Sequence, residues 1–371
     1  MQIKRKIKEI IKNFALKKGL KTKRNIVVFE SDDWGADRNS SKEGLETFQK
    51  EFPNFALDGY QKFDTLESDS DVISLSETLA KHKDSKGNPA IFTLNFAVAN
   101  IDFEKTAKSK ELFLVAIDEY YKKFKEKKNV LDLVKKAEEQ KTLFSALHTR
   151  EHVNSEVLLE DLKNDEFVQK AFENGVVGVK DSYYHGMDTL NASEESLKKI
   201  IGDATSEFER IFGRKSETFI APCYVWNYEV EKELEKNGVK FLQGNLFHNI
   251  PTSSDSYQKK LHGFGSKSKH SNLRYFYRNC FFEPTNEREK GKTDKEILES
   301  TMCEIEKAFK AGKPAVVCSH RVNFVSGMSE QNQKQNIELL DLLLTKITEK
   351  YPNVEFLDSV SMSKEMITEN V

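Results

Sequence analysis

Only four of the 371 residues are cysteine. Cys223, Cys280, Cys303 and Cys318 are widely spaced and form no Cys-x-x-Cys pair. Neither a disulfide framework nor a thiolate zinc site is therefore indicated, and free thiols in a reducing compartment are expected. Long apolar runs are missing as well. No uninterrupted stretch of signal-peptide length follows the N-terminal charges, and none is long enough to span a bilayer, which predicts a cytoplasmic protein. There is no internal repeat and no low-complexity tract. An excess of one charge is also lacking overall, the formal net charge being −2, and no nucleic-acid partner is expected.

What is present is a globular composition, 38% hydrophobic and 32% charged, enough to bury a core beneath a solvated surface. The charge is unevenly placed. In "MQIKRKIKEIIKNFALKKGLKTKR" ten Lys or Arg face one Glu, giving +9 and leaving −11 for the remainder. Ile3, Ile7, Ile10, Ile11 and Phe14 fall on one helical face. Residues 1–24 thus read as a basic amphipathic helix, suited either to an anionic membrane surface or to packing on the body.

Residues 25–365 read as a single α/β domain. Runs such as "NIVVFES", "AIFTLNFA", "TLFSALH", "GVVGVK", "ETFIAP", "KFLQG", "LRYFYRN" and "PAVVCSH" have the near-continuous apolar character of buried parallel strands, and "VEFLDS" is a further candidate. Helical patterns alternate with them: "ELFLVAIDEYYKKF", "SEESLKKIIGDATSEFERIF", "DKEILESTMCEIEKAFKAG" and "QNQKQNIELLDLLLTKITEK". That order predicts a (β/α) barrel or a doubly wound sheet. Residues 36–89 and 245–272 break the rhythm and are expected to be active-site loops or lids.

Reactive groups gather at the carboxyl ends of parallel strands. In "ALHTREH", His148 and His152 are four apart, a spacing that on a helix would bring both imidazoles to one face. "NIVVFE" runs into Asp32, Asp33 and Trp34, and "AVVC" into His320. Two imidazoles and a carboxylate make a three-ligand catalytic zinc site with one position open for water. The assignment is Asp33, His148 and His152 as ligands of a divalent metal, zinc first, with Co2+, Mn2+ or Ni2+ as alternatives. Asp32 is the base and His320 the acid. Trp34, Tyr224 and Trp226 are candidate sugar-stacking residues, with Tyr183, Tyr184 and His185 after another strand. Arg38, Arg321 and Asn323 are candidates for holding a carboxylate or hydroxyls. "KKLHGFGSKSKH" either covers an anionic glycan or is a solvated loop.

The order Asp-Asp, H-[ST]-x-x-H, a strand ending before a proline with aromatics after it, and a late strand-end His resembles the polysaccharide deacetylase family, carbohydrate esterases of the chitin, chitooligosaccharide and peptidoglycan type. The resemblance implies an incomplete (β/α) barrel and metal-dependent removal of an N- or O-acetyl group from a sugar of a polysaccharide or its precursor. The sequence departs from that pattern where Ile220 replaces the arginine that hydrogen-bonds the catalytic Asp, Cys223 replaces an aromatic residue, and Cys318 stands where a Leu is usual. Either another residue, such as Arg38 or Arg321, substitutes for the missing arginine or the base is weakened. Two rivals remain: a glycoside hydrolase on a related barrel drawing on Asp32, Asp33 or Glu283, and a noncatalytic carbohydrate-binding protein. An amidohydrolase with H-x-H after its first strand is disfavoured, because "SDDWG" occupies that place.

Overall fold

The structure, a computed structural model, describes residues 16–180, 194–253 and 256–370. Its strands are β1 (Asn25–Trp34), β2 (Phe92–Ala97), β3 (Ala99–Ile101), β4 (Leu114–Ala116), β5 (Leu143–Thr149), β6 (Thr218–Phe219) and β7 (Phe241–Gly244). They continue with β8 (Phe247–Ser253), β9 (Ser256–Leu261), β10 (Ser266–Lys267), β11 (Arg274–Tyr277), β12 (Cys280–Phe281), β13 (Ala315–His320) and β14 (Val354–Phe356). The main sheet runs β10-β11-β7-β6-β5-β2-β1-β13-β12, with β14 on the first half of β1. All its pairings are parallel except β10 with β11. Among the described residues the end strands β10 and β12 do not pair with each other. This is the predicted incomplete α/β barrel.

Alternation along β1 explains how the barrel is filled. Val27 and Phe29 belong to the large core outside the sheet, Phe29 stacking on Phe92 at 4.6 Å. Ile26 and Val28 pack inside with Phe241, Phe276 and Val316. The same parity carries Glu30 and Asp32 inward, so the interior turns from apolar to ionic toward the strand ends. The seam is crossed at Arg278–Asn279. Arg278 N–H still donates to Gly244 O beside β7 (2.8 Å), whereas Asn279 N–H donates to Val316 O beside β13 (3.0 Å). The chain therefore steps across the gap there, and Arg278 points into the interior.

Helices form where capping and periodicity agree. Ser68 and Asp71 make a capping box at the start of helix Asp69–Lys81, and Thr293 and Glu296 do so for Asp294–Lys310. Helix Glu330–Lys350 begins with Ser329 accepting from Asn332 N–H. Helix Glu194–Phe212 matches its predicted stretch.

Three expectations change. "GVVGVK" makes no ladder, only one bridge between Asn39 and Val176. In "ELFLVAIDEYYKKF", Leu114–Ala116 instead pairs antiparallel with Ala99–Ile101, and only Ile117–Tyr121 is helical; an apolar run of this length suits either state, and the available strand edge decides. Within 245–272, β8 and β9 form an antiparallel hairpin. Residues 36–89 carry helices Lys42–Glu51, Gly59–Phe63 and Asp69–Lys81. Of the basic head, residues 1–15 lie outside the described residues; its end packs on the barrel, with Leu16 buried and Leu20 N–H donating to Phe264 O. Tyr183, Tyr184 and His185 also lie outside the described residues. Among the described residues no helix is long and apolar enough to cross a membrane.

Candidate metal centre and active site

Two irregularities in the ladders build the site. β1 pairs with β2 at Ser31↔Leu94 and next at Trp34↔Phe96, so Asp32 and Asp33 together oppose Asn95. Such a bulge lets neighbouring side chains escape strict alternation. Asp33 sits at φ 70° and Gly35 at φ 78°, and a Cβ on Gly35 would come within 2.4 Å of Ala97 O. A second shift, between Phe96↔Leu147 and Ala97↔Thr149, falls at His148. His148 and His152 are not on a helix. His148 is the last residue but one of β5, and the following turn is folded back by Ala99 N–H on Arg150 O (2.7 Å) and Thr149 Oγ1 on Glu151 O (3.0 Å). The two rings end 4.9 Å apart.

Asp33 Oδ1 lies 3.4 Å from His148 Nε2 and 3.1 Å from His152 Nε2. One donor atom from each residue falls within 4.8 Å of the others, and all three side chains are buried. His148 Nδ1 lies 2.8 Å from Ile220 O, to which it donates, which leaves Nε2 with a lone pair facing the cluster. That Nε2 is buried and makes no hydrogen bond. A buried imidazole nitrogen aimed at a carboxylate and a second imidazole fits a divalent cation of the zinc type. Burial alone would raise Asp33, yet His152 and His148 hold it well below the usual carboxylate range; burial lowers His152.

Asp32 is gripped by a guanidinium fork. Arg278 Nη1 and Nη2 reach Oδ2 and Oδ1, each at 2.6 Å, while Nε reaches Glu30 Oε2 at 2.8 Å, and Arg278 and Glu30 are fully buried. Asn95 adds a bond to Oδ1 at 2.8 Å and is held in turn by Gln243. Burial pushes Asp32 up, but Arg278 outweighs it, with help from His148 and His320, and Asp32 falls to about 2. Glu30 stays raised, since burial outweighs its share of Arg278.

His320 stands across the site. Its Nε2 is 3.8 Å from Asp32 Oδ2, while Nδ1 is 2.5 Å from Glu283 Oε1 and 3.1 Å from Tyr60 OH. Burial lowers this histidine, but Glu283, then Asp33 and Asp32, raise it to about 9. Asn323 Nδ2 fixes Glu283 Oε2 at 2.9 Å.

The substrate-binding set needs correction. Trp34 is wholly buried, its Nε1 bonded to Ser31 Oγ and its ring packed near Phe96, so it cannot stack on a sugar. Trp226 is buried against His248 (3.6 Å), with Nε1 on Glu231. Arg321 is buried on Asp64 and Glu67. Asn323 is buried behind Glu283. Arg38 bridges Asp33 Oδ2 (3.3 Å) and Asp64 (3.1 Å). Only Tyr224 of that set lies half-exposed at the site, its OH 3.2 Å from Arg278 Nη1. The substitute for the missing arginine is Arg278, not Arg38 or Arg321. Its signal is the second arginine of "LRYFYRN", which directly follows the end of the aromatic strand. Tyr60 carried no signal, because an insertion helix delivers it.

Residues 46–283 match the model of glycosyl hydrolase family 57. The chain belongs to that family. Its family 57 segment contains His148, His152, Tyr224, Arg278 and Glu283, whereas Asp32, Asp33 and His320 lie outside it. No curated protein matches the chain. Similar solved structures include the 4-alpha-glucanotransferase from Thermococcus litoralis, at TM-score 0.48 and 11% identity over 93% of this chain and 40% of that one. A carbohydrate esterase family 4 pseudoenzyme from Bacillus anthracis gives 0.40 and 13% over 92% and 66%. A family 4 carbohydrate esterase from Streptomyces lividans gives 0.35 and 9% over 89% and 90%. The family is thus a glycosyl hydrolase family, although the motifs resemble those of deacetylases. This family 57 protein is a carbohydrate-active hydrolase.

Proposed function

We propose that the protein is a metal-dependent hydrolase that removes an acetyl group from a sugar, with Asp33, His148 and His152 holding the ion. The observation that carries this reading is the buried, unbonded His148 Nε2 converging with Asp33 Oδ1 and His152 Nε2. The bound ion would supply Lewis acidity, making water nucleophilic near neutral pH and polarising an acyl oxygen. Asp32 takes the proton of the attacking water. Its Oδ2 bonds only one nitrogen of the fork, which leaves a lone pair, and Arg278 keeps the group ionised and fixed in direction. The backbone N–H of Cys223, in a turn whose φ is 54° there and 60° at Tyr224, is the donor assigned to the oxyanion. His320, cationic at neutral pH through Glu283, gives its Nε2 proton to the departing amine or alkoxide.

A second reading, cleavage of a glycosidic bond, is favoured by the family match and by the carboxyl groups of Asp32 and Glu283 in one site. It leaves the imidazole pair without a task. Incubating the zinc-loaded protein with acetylated chitooligosaccharides and acetylated xylan separates the two. Acetate release without chain shortening, abolished by Asp32→Asn, supports the deacetylase; chain shortening without acetate supports the glycosidase and overturns our reading.

A further inference from the structure

The late histidine belongs to a second group of metal donors. Glu283 Oε1 lies 2.5 Å from His320 Nδ1 and 3.7 Å from Cys318 Sγ, and donor atoms of the three residues all fall within 4.8 Å of one another. Parity along β13 explains the grouping. Cys318 and His320 are two apart on one strand face, and Phe281 pairs with Cys318 across β12, which delivers Glu283 two residues later. Asn323 fixes the other oxygen of Glu283. A thiol, an imidazole and a carboxylate form a borderline-soft donor set of the kind that takes zinc or cobalt.

We propose that Glu283, Cys318 and His320 form a second, inhibitory cation site that takes a zinc-type ion in place of the proton shared by Glu283 and His320. The site itself does not depend on the acetyl-hydrolysis reading; only its inhibitory effect does. Binding releases two protons to solvent, one from the Cys318 thiol and one from the Glu283–His320 contact, and forms bonds to Sγ, Nδ1 and Oε1. The ion takes Nδ1 and leaves Nε2 facing Asp32. An imidazole bound at Nδ1 keeps its Nε2 proton but is a far weaker acid than imidazolium, so leaving-group protonation stops. Arg278 Nη1 lies 3.4 Å from Cys318 Sγ and Tyr224 OH lies 3.5 Å from it. The guanidinium repels a second cation while favouring the thiolate, and its own charge is met by Glu30 and Asp32. This makes the second site the weaker of the two and selective for thiophilic ions over Mg2+.

Cobalt titration of the purified full chain tests the proposal without reference to activity. Wild type is expected to take up two Co2+ per chain, the second with a near-ultraviolet thiolate-to-cobalt absorption band. Cys318→Ser is expected to keep its circular dichroism spectrum, take up one Co2+ and show no band, whereas Cys223→Ser keeps the band. Asp33→Ala separates the two sites: it retains the banded equivalent if the second site stands, even if the first is no metal site at all. A wild type that binds a single Co2+ without a thiolate band, or a band lost in Cys223→Ser and kept in Cys318→Ser, overturns the proposal.

Discussion

Arg278→Met keeps a long apolar side chain but removes the guanidinium that Asp32 and Glu30 both bind. Breaking a buried ion pair by deleting one partner costs about 3–5 kcal/mol, because the other charge is left without compensation. Here two carboxyl groups are left. Burial already raises Glu30, whereas Asp32 is the carboxylate that the guanidinium holds lowered, so the cost falls mainly on Asp32. With an unfolding entropy of roughly 2.1 cal/mol/K per residue over 371 residues, that loss lowers Tm by about 4–6 °C. The effect depends on pH with a definite sign. Asp32 at about 2 in the folded wild type contributes stability that is complete above its unfolded value near 4 and lost as pH falls through about 2. In the variant the largest group opposing burial is gone and Asp32 is raised relative to wild type, so the deficit is full at pH 8 and shrinks as pH falls and the group takes up a proton. Scanning calorimetry of both proteins at the two pH values measures this. Arg278→Lys, with the charge but no fork, should fall between them. Acetyl hydrolysis by Arg278→Met should drop by about 10²-fold or more, while metal content is kept because Arg38, not Arg278, touches Asp33. A Tm within about 1 °C of wild type at pH 8 refutes the reasoning, since a deficit of several kcal/mol cannot be hidden in a transition of this size.

Three further outcomes follow from the same geometry. With His320 held at about 9 by Glu283, hydrolysis should persist to that pH and fall above it; Glu283→Gln should move the alkaline limb of the rate profile down toward about 6.5, and an unmoved limb would contradict the pairing. His248, in β8, and His262, directly after β9, lie 3.2 Å apart, lowered by burial to about 4 and about 3, so their contribution to stability is present above about 6.5 and lost as pH falls through about 4 and about 3. His262→Phe should flatten that loss in urea titrations, and an unchanged pH dependence would contradict it. Gly35→Ala should cost more than about 1 kcal/mol and lower metal affinity, because a Cβ at φ 78° meets Ala97 O beside the strained Asp33. Equal denaturation midpoints would remove the strain from the account.

The parts of the sequence that spoke plainly were those governed by local rules. Strand ends placed Asp32, His148 and His320, and the alternation of β and α patterns led to an α/β fold, whereas the choice of an incomplete barrel over a doubly wound sheet came from the family resemblance. Other features depended on contacts distant in sequence. The bulges that aim Asp33 and His148 into one cluster arise from register between strands, and nothing within "ALHTREH" separates a helical pair from a strand end folded back on itself. Trp34 misled because a tryptophan after two aspartates can face a cleft or a core, and its indole N–H finds Ser31 in the core. The family pattern puts its arginine after β6, where Ile220 instead lends a carbonyl to His148, and the substitutes that the sequence suggests, Arg38 and Arg321, are bound to other carboxylates. The same charge arrives from the seam between β11 and β12, where the chain crosses the open edge of the barrel.

The most direct test of the central claim is the metal content of the protein purified without chelator, measured by elemental analysis beside Asp33→Ala and His148→Ala. Wild type is predicted to carry at least one zinc-type ion per chain, and each variant to carry one fewer while retaining its fold by circular dichroism. A wild type that stays empty after zinc is supplied, or variants that keep the full complement, would contradict the claim that Asp33, His148 and His152 are a metal centre.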